Sequence, residues 1–295
     1  MELVDEIQQL KTEKNAIILA HNYQRPEIYE VADYIGDSLE LTKKAMQSSA
    51  KLIVFCGVHF MAETAAILNP DKKVLLPVVD AGCPLADQIK PDDLHSLLNK
   101  HPEAAIVSYI NSPANVKALS DIVCTSANAI DIVNSVDSND VIFLPDHNLG
   151  QWVAMHTNKN IKLWRGNCYA HTKISTKAVK QAKFNYPNAK LVAHPECDME
   201  ILKIADKVCG TGGMIKYAKE NDAQEFLIAT ECGMVERLKK EVPGKRFYAF
   251  GNVCFNMKKT GLSDVKNALL KQEHHIVVPE HIAKKAKIAL MRMMR

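Results

Sequence analysis

The chain has 295 residues, 47% apolar and 24% charged, and 37 Lys and Arg against 34 Asp and Glu leave a formal net charge of +3. That length is too great for one ordinary core and suits two or three domains, and the balanced composition excludes a disordered chain. A charge this weak, with scattered lysines and no basic stripe among aromatics, argues against nucleic-acid binding, and no apolar run nears the roughly 20 residues that span a membrane.

In chain order, residues 1–14 read as an amphipathic surface helix with Leu3, Ile7 and Leu10 on one face, not as a signal peptide. The expected compartment is therefore the cytoplasm, where the eight cysteines are ligands, catalysts or core residues rather than disulfides. An apolar run, 17–20, ends at His21, and a second short strand ends at Gly36, Asp37 and Ser38. A helical run, a third strand at 52–55, another helix, the turn Asn69, Pro70 and Asp71, and a fourth strand at 74–77 follow, with Cys83 soon after. The order then returns: a strand to Tyr109, a strand to Thr125 and Ser126, strands at 141–144 and 161–164, and Cys168. It returns again: a strand to His194, a strand to Gly210 and Thr211, strands at 226–229 and 247–250, and Cys254. Residues 276–278 fit a short strand. Pro279 opens a final basic helix to residue 295, with Ile282, Ala286, Ile288, Ala289 and Met293 available for packing.

The internal repeat fixes the architecture. The same 17 residues separate His21 from Ser38, Tyr109 from Ser126 and His194 from Thr211. Cys83, Cys168 and Cys254 are 85 and 86 residues apart, close to the repeat period. The chain divides into 1–103 (leading helix and repeat one), 104–188 (repeat two), 189–275 (repeat three) and 276–295 (C-terminal segment and helix). Strand–helix alternation implies parallel strands with right-handed crossovers. The expected fold is α/β: three pseudo-symmetric αβα sandwich domains with parallel four-stranded sheets around a central cavity. In such sheets ligands bind at the carboxyl ends of the strands.

If the three sets of strand ends face inward, three cysteines, three hydroxyl residues (Ser38, Ser126 and Thr211) and three ring residues (His21, Tyr109 and His194) converge. Two residues past each first tip stand a phenol, an amide and a carboxylate: Tyr23, Asn111 and Glu196. Taken singly, a cysteine is most often a small buried hydrophobe, and a histidine at a strand end is most often just hydrogen-bonded. Core packing does not require cysteine in three corresponding loops, so Cys83, Cys168 and Cys254 read as metal ligands. A [4Fe–4S] cluster usually takes four thiolates, so three around an axis leave one iron open to act as a Lewis acid. Cys124 and Cys209 correspond to Gly36 and read as packing residues, as do Cys56, Cys197 and Cys232, which have no repeat partners. Asp146 and His147 fit a supporting pair. Two other classes stand beside this one: a zinc lyase on the same three thiolates, and an iron–sulfur sensor or carrier. The convergent hydroxyl and imidazole groups argue against the last, because a carrier needs no substrate cavity.

Several longer motifs resemble the quinolinate synthase family, the A protein of NAD biosynthesis. They are Ala20-His21-Asn22-Tyr23-Gln24, Gly36-Asp37-Ser38, Phe60-Met61-Ala62-Glu63, Cys124-Thr125-Ser126-Ala127-Asn128-Ala129, His194-Pro195-Glu196-Cys197 and Thr211-Gly212-Gly213-Met214. The likeness covers nearly the whole chain. It implies three αβα domains about a pseudo-threefold axis and a [4Fe–4S] cluster held by Cys83, Cys168 and Cys254. It implies condensation of iminosuccinate (iminoaspartate) with dihydroxyacetone phosphate to quinolinate, phosphate and water. The enzyme that supplies iminoaspartate is then a candidate partner. Substrate contacts carry over to His21, Ser38, Tyr109, Asn111, Ser126, His194, Glu196 and Thr211. Acid–base work carries over to Glu196 and Tyr23, with His21 and His194 assisting. In one respect the chain departs from some family members, which carry a C-x-x-C-x-x-C run ending in the last ligand. Here Tyr248 and Gly251 take the earlier positions, so a disulfide switch is excluded there.

Overall fold

The computed structural model describes residues 2–294; Met1 and Arg295, the outer ends of the expected first and last helices, lie outside them. Among the described residues, twelve strands form three four-stranded sheets with every pairing parallel. The first holds β1 (Ala16–His21), β2 (Tyr34–Gly36), β3 (Leu52–Cys56) and β4 (Lys73–Leu75). The second holds β5 (Ala105–Tyr109), β6 (Ile122–Cys124), β7 (Asp140–Leu144) and β8 (Asn160–Leu163). The third holds β9 (Lys190–Ala193), β10 (Lys207–Val208), β11 (Glu225–Ala229) and β12 (Arg246–Ala249). In each sheet the second strand lies outside the first, and the third and fourth follow on its other side. Helices cover the sheets, giving three pseudo-symmetric αβα units. The central strands read as unbroken apolar runs because both faces are covered: β3, Leu-Ile-Val-Phe-Cys, is buried throughout.

The pseudo-symmetry reaches single hydrogen bonds. Asp33, Asp121 and Asp206 each precede the second strand and clamp the first. Their carboxylates accept the N–H of Ile18, Ile106 and Leu191 at 2.8, 2.8 and 2.9 Å. Their own N–H groups donate back to the carbonyls of the same three residues. Lys72, Lys159 and Lys245 precede the fourth strands, and each ammonium ties two carbonyls at and just past the end of the helix after the second strand.

The three units interlock in a ring. Helix Pro91–Lys100, which follows Cys83, buries Leu94 against Ile106 and Ile142 of the second sheet. Helix Thr176–Asn185, which follows Cys168, buries Val179 with Leu191 and Leu227 of the third. Helix Leu262–Lys271, which follows Cys254, buries Val265 and Leu269 with Ile18 and Val54 of the first, alongside Ile7 of the leading helix. Each copy thus covers the sheet of the next, and the third covers the first. A further apolar cluster runs through all three units around the axis.

At the C-terminus, residues 276–278 form no strand. A single antiparallel bridge joins His275 to Leu75, and Ile276 N–H donates to Val74. Helix Glu280–Met293 packs on β6 and on helix Ala114–Lys117. Its buried stripe is Ala286, Ala289, Leu290 and Met293; Ile288, expected to pack, is 56% exposed because it lies on the opposite face. Among the described residues, no helix is long and apolar enough to cross a membrane.

Candidate active site

The carboxyl ends of the strands and the loops after the fourth strands surround one cavity of about 70 Å³. Each unit brings four of the side chains singled out above: His21, Tyr23, Ser38 and Cys83 from the first, Tyr109, Asn111, Ser126 and Cys168 from the second, and His194, Glu196, Thr211 and Cys254 from the third. His21 and Tyr109 end β1 and β5, and His194 follows β9, so strand register alone aims them at the axis.

Hydrogen bonds set the histidine tautomers. His21 Nδ1 accepts the Tyr23 N–H at 3.2 Å, and His194 Nδ1 accepts the Glu196 N–H at 3.3 Å. Each ring's remaining proton is therefore on Nε2. His194 Nε2 reaches Ser126 Oγ of the neighbouring unit at 3.2 Å. Burial pushes both histidines down to about 3, so near neutral pH they are uncharged donors. Asn22 Nδ2 donates to Thr211 Oγ1 at 2.9 Å across another unit boundary, which leaves the Thr211 proton free for the cavity. Gly210 sits where a Cβ would lie 2.8 Å from Ser126 Oγ, so these two units approach this closely only with glycine there.

Glu196 is the electrostatic centre, 2% exposed. Tyr109 Oη donates to its Oε1 at 2.6 Å, and His171 Nδ1 stands 2.8 Å from its Oε2, off the line of a good hydrogen bond. Burial pushes this carboxyl up, but His171, His194 and the Tyr109 hydroxyl outweigh it and hold Glu196 below the ordinary carboxylate range. Burial, then the Glu196 charge, raise Tyr23 and Tyr109 well above the ordinary phenol range, so both keep their protons.

All eight cysteines are free. Burial raises Cys83 to about 12, Cys254 above its usual range and Cys168 well above it; the charges of Cys83, Cys168 and Cys254 also act on one another. Cys56, Cys124 and Cys197 are buried and Cys209 and Cys232 are half-buried, and none of these five lines the cavity. Asp146 is buried and caps helix His147–Ala154 through Leu149 N–H at 2.7 Å; its neighbour His147 contacts the Trp164 carbonyl instead of sharing a bond with it.

The structure adds residues that the repeat comparison passed over. His171, 1% exposed, lies three residues after Cys168, where the other copies have Ala86 and Met257. Thr230, wholly buried at the end of β11, matches Gly57 and Pro145 in register. Neither has a counterpart to reveal it; the only signal was the local spacing Cys168-x-x-His171. Among the described residues, Cys168, His171 and Glu196 are the one set of three whose ligand atoms all lie within 4.8 Å of one another, so a metal could be held on this side of the cavity.

Three α/β units that close their strand ends on a buried cavity of thiols, hydroxyls, imidazoles and two carboxyl groups define an enzyme with a capacity for metal. Residues 5–295 match the sequence model of the family described as "NadA: Quinolinate synthetase A protein", and the chain belongs to that family. Quinolinate synthase 2 of Methanosarcina acetivorans is 48% identical over 294 residues, covering 99% of this chain and 95% of its own length. The quinolinate synthases of Methanoregula boonei and Thermodesulfovibrio yellowstonii are each 50% identical over 294 residues, covering 99% of this chain and 97% of theirs.

Proposed function

We propose that this chain is a quinolinate synthase that condenses iminosuccinate with dihydroxyacetone phosphate, releasing phosphate and water, with a [4Fe–4S] cluster on Cys83, Cys168 and Cys254. One observation carries the reading: every unit delivers one thiol, one hydroxyl, one ring and one further polar group to the same buried cavity. The donor set fits the cluster. Three thiolates on a single zinc, with bonds of about 2.3 Å, would lie roughly 4 Å apart. The three sulfurs are not among the sets of ligand atoms within 4.8 Å of one another in the described residues, which supports a larger group over a single zinc. Because their burial resists ionisation, thiolates form there only with a cationic partner, and loading releases protons. When bound, the cluster supplies an open iron as a Lewis acid.

The chain's own groups do the rest. Ser38, Ser126, Thr211 and Asn111 offer neutral donors to phosphate and carboxylate oxygens, and His21 and His194 add Nε2–H donors without charge. The triose loses phosphate only after a proton leaves carbon, and Glu196 takes that proton, with Tyr23 as the relay. The contacts that keep Glu196 ionised also weaken it as a base. When substrate fills the cavity, Tyr109 turns its hydroxyl from Glu196 to the substrate, and basicity returns. Burial of the whole site excludes water, which matters because iminosuccinate hydrolyses. The same lability favours direct supply by an iminoaspartate-forming enzyme, and unpaired thiol ligands favour a reducing, cytoplasmic setting.

The test is anaerobic reconstitution followed by an assay for quinolinate from the two substrates. Product formation that depends on both substrates and on iron is expected. A fully loaded protein that forms no quinolinate sinks the proposal.

A further inference from the structure

Each cysteine loop is latched to its own sheet by the same backbone bond. His59, His147 and Cys232, three residues past the ends of β3, β7 and β11, donate their N–H groups to the carbonyls of Ala81, Gly166 and Asn252 at 2.8, 2.7 and 2.8 Å. Each of those carbonyls lies two residues before Cys83, Cys168 or Cys254. Beyond that bond the loops differ. The residue before each donor is Val58, Asp146 or Glu231. Val58 offers no polar side-chain atom. Asp146 caps the next helix through Leu149 N–H and faces the Cys168 N–H. Glu231 is wholly buried; its Oε2 accepts the Gly233 N–H at 2.8 Å and its Oε1 accepts the Cys254 N–H at 3.2 Å. The Lys258 ammonium lies 3.1 Å from Oε1 and 3.2 Å from Oε2. It also donates to the Tyr23 carbonyl of the first unit, and Arg25 Nε donates to the Lys258 carbonyl at 2.6 Å. A Cβ at residue 233 would stand 2.5 Å from Lys258 Nζ, so glycine there makes room for the pair. Four residues past the other two cysteines stand Asp87 and Thr172, so the third unit alone carries this ammonium.

We propose that Glu231 and Lys258 are positioning residues: the buried pair fixes the Cys254 loop and pins the first unit's Tyr23 turn to it, so that one ligand sulfur and the Tyr23 phenol keep a set separation. A carboxylate buried this deeply is held by a cation and by N–H donors that meet its charge. Here one of those donors is the N–H of Cys254 itself, so whatever disturbs the pair loosens the ligand. Neither side chain lines the cavity, and their effect passes through Cys254 and Tyr23. Because the two charges cancel, the pair braces the loop without adding net charge beside the site.

This rests on the cluster reading, so one of two measurements needs no cluster. In the metal-free full chain, iodoacetamide labelling read by peptide mass spectrometry gives rates for Cys83, Cys168 and Cys254 in one sample. Glu231→Gln and Lys258→Met should each label Cys254 about tenfold faster and leave the other two at their wild-type rates. Charge alone predicts opposite effects, since losing the anion favours the Cys254 thiolate and losing the cation disfavours it; faster labelling in Lys258→Met therefore reports loosening. The double variant Glu231→Gln/Lys258→Met leaves no unpaired buried charge, which guards against misfolding of the single variant, and should match the faster single. In cluster-loaded protein the double variant should lose iron to a chelator about tenfold faster than wild type. Slower labelling of Cys254 in Lys258→Met overturns the brace. So does a double variant with wild-type labelling of Cys254, equal acceleration at all three cysteines, or wild-type iron loss. A wild type that takes up no cluster sinks the cluster reading and leaves the labelling result to decide the brace.

Discussion

At the ends of the sheets remote from the cavity the three units are interchangeable; at the cavity they are not. Asp33, Asp121 and Asp206 make one clamp three times, and Lys72, Lys159 and Lys245 make another. Facing the axis, the first tips are His21, Tyr109 and His194, and the residues two further on are Tyr23, Asn111 and Glu196. A copied fold needs the same backbone satisfied in every copy, so the outer bonds stay alike. A substrate without threefold symmetry needs different donors on each side, so the inner positions diverge. The cysteines remain identical there, as a shared central group would require, and the hydroxyl positions, Ser38, Ser126 and Thr211, nearly so.

Four measurements break or sharpen this contrast, from the largest effect down. Cys83→Ala, Cys168→Ala and Cys254→Ala should each abolish bound iron and turnover, with equal severity because the three are equivalent. Iron retained in full by any one of them removes that residue from the ligand set. Glu196→Gln should keep the cluster and lower kcat by about 10²–10⁴; near-normal turnover would exclude it as base.

The third effect concerns an asymmetry outside the cavity. Eight residues past the first tip stand Tyr29, Lys117 and Leu202, so the second unit alone buries an ammonium. Lys117 donates to the Ser112 carbonyl and lies over the Phe60 ring, yet burial pushes it down to about 8, with Glu63 opposing. The unfolded chain holds that proton more tightly, so below pH 8 the folded state carries the full penalty. As pH rises from 8 to 10.5, metal-free wild type should gain on the order of 2–3 kcal/mol in stability relative to Lys117→Met. Parallel stability curves for the two proteins would contradict the buried charge. Smallest should be the clamps: Asp33→Ala, Asp121→Ala and Asp206→Ala should each cost about 1 kcal/mol in urea unfolding and leave kcat unchanged. Costs that differ widely among the three would mean that the outer symmetry is only apparent.

The same contrast explains what the sequence disclosed. The twelve strands lie within a residue or two of their expected places, because paired sheets buried on both faces demand apolar runs and breakers between them. The residues found by repetition come together in one cavity. What escaped lacks a repeat or depends on packing. His171 and Thr230 are single-copy residues whose role comes from distant partners. Ile288 looked apolar enough to be buried, but the helix turns it outward. The exchange of covering helices around the ring could not be read either, since each helix is amphipathic whichever sheet it covers.

The central claim is that three thiols, one from each unit, hold one polynuclear group with a coordination position left for substrate. Its most direct test is iron and acid-labile sulfide per chain in anaerobically purified protein, before and after saturation with quinolinate, together with the Mössbauer spectrum. The account predicts about four of each, with one iron site distinct and shifted by the ligand. One zinc per chain alongside full quinolinate turnover, or four equivalent irons indifferent to the ligand, would contradict it.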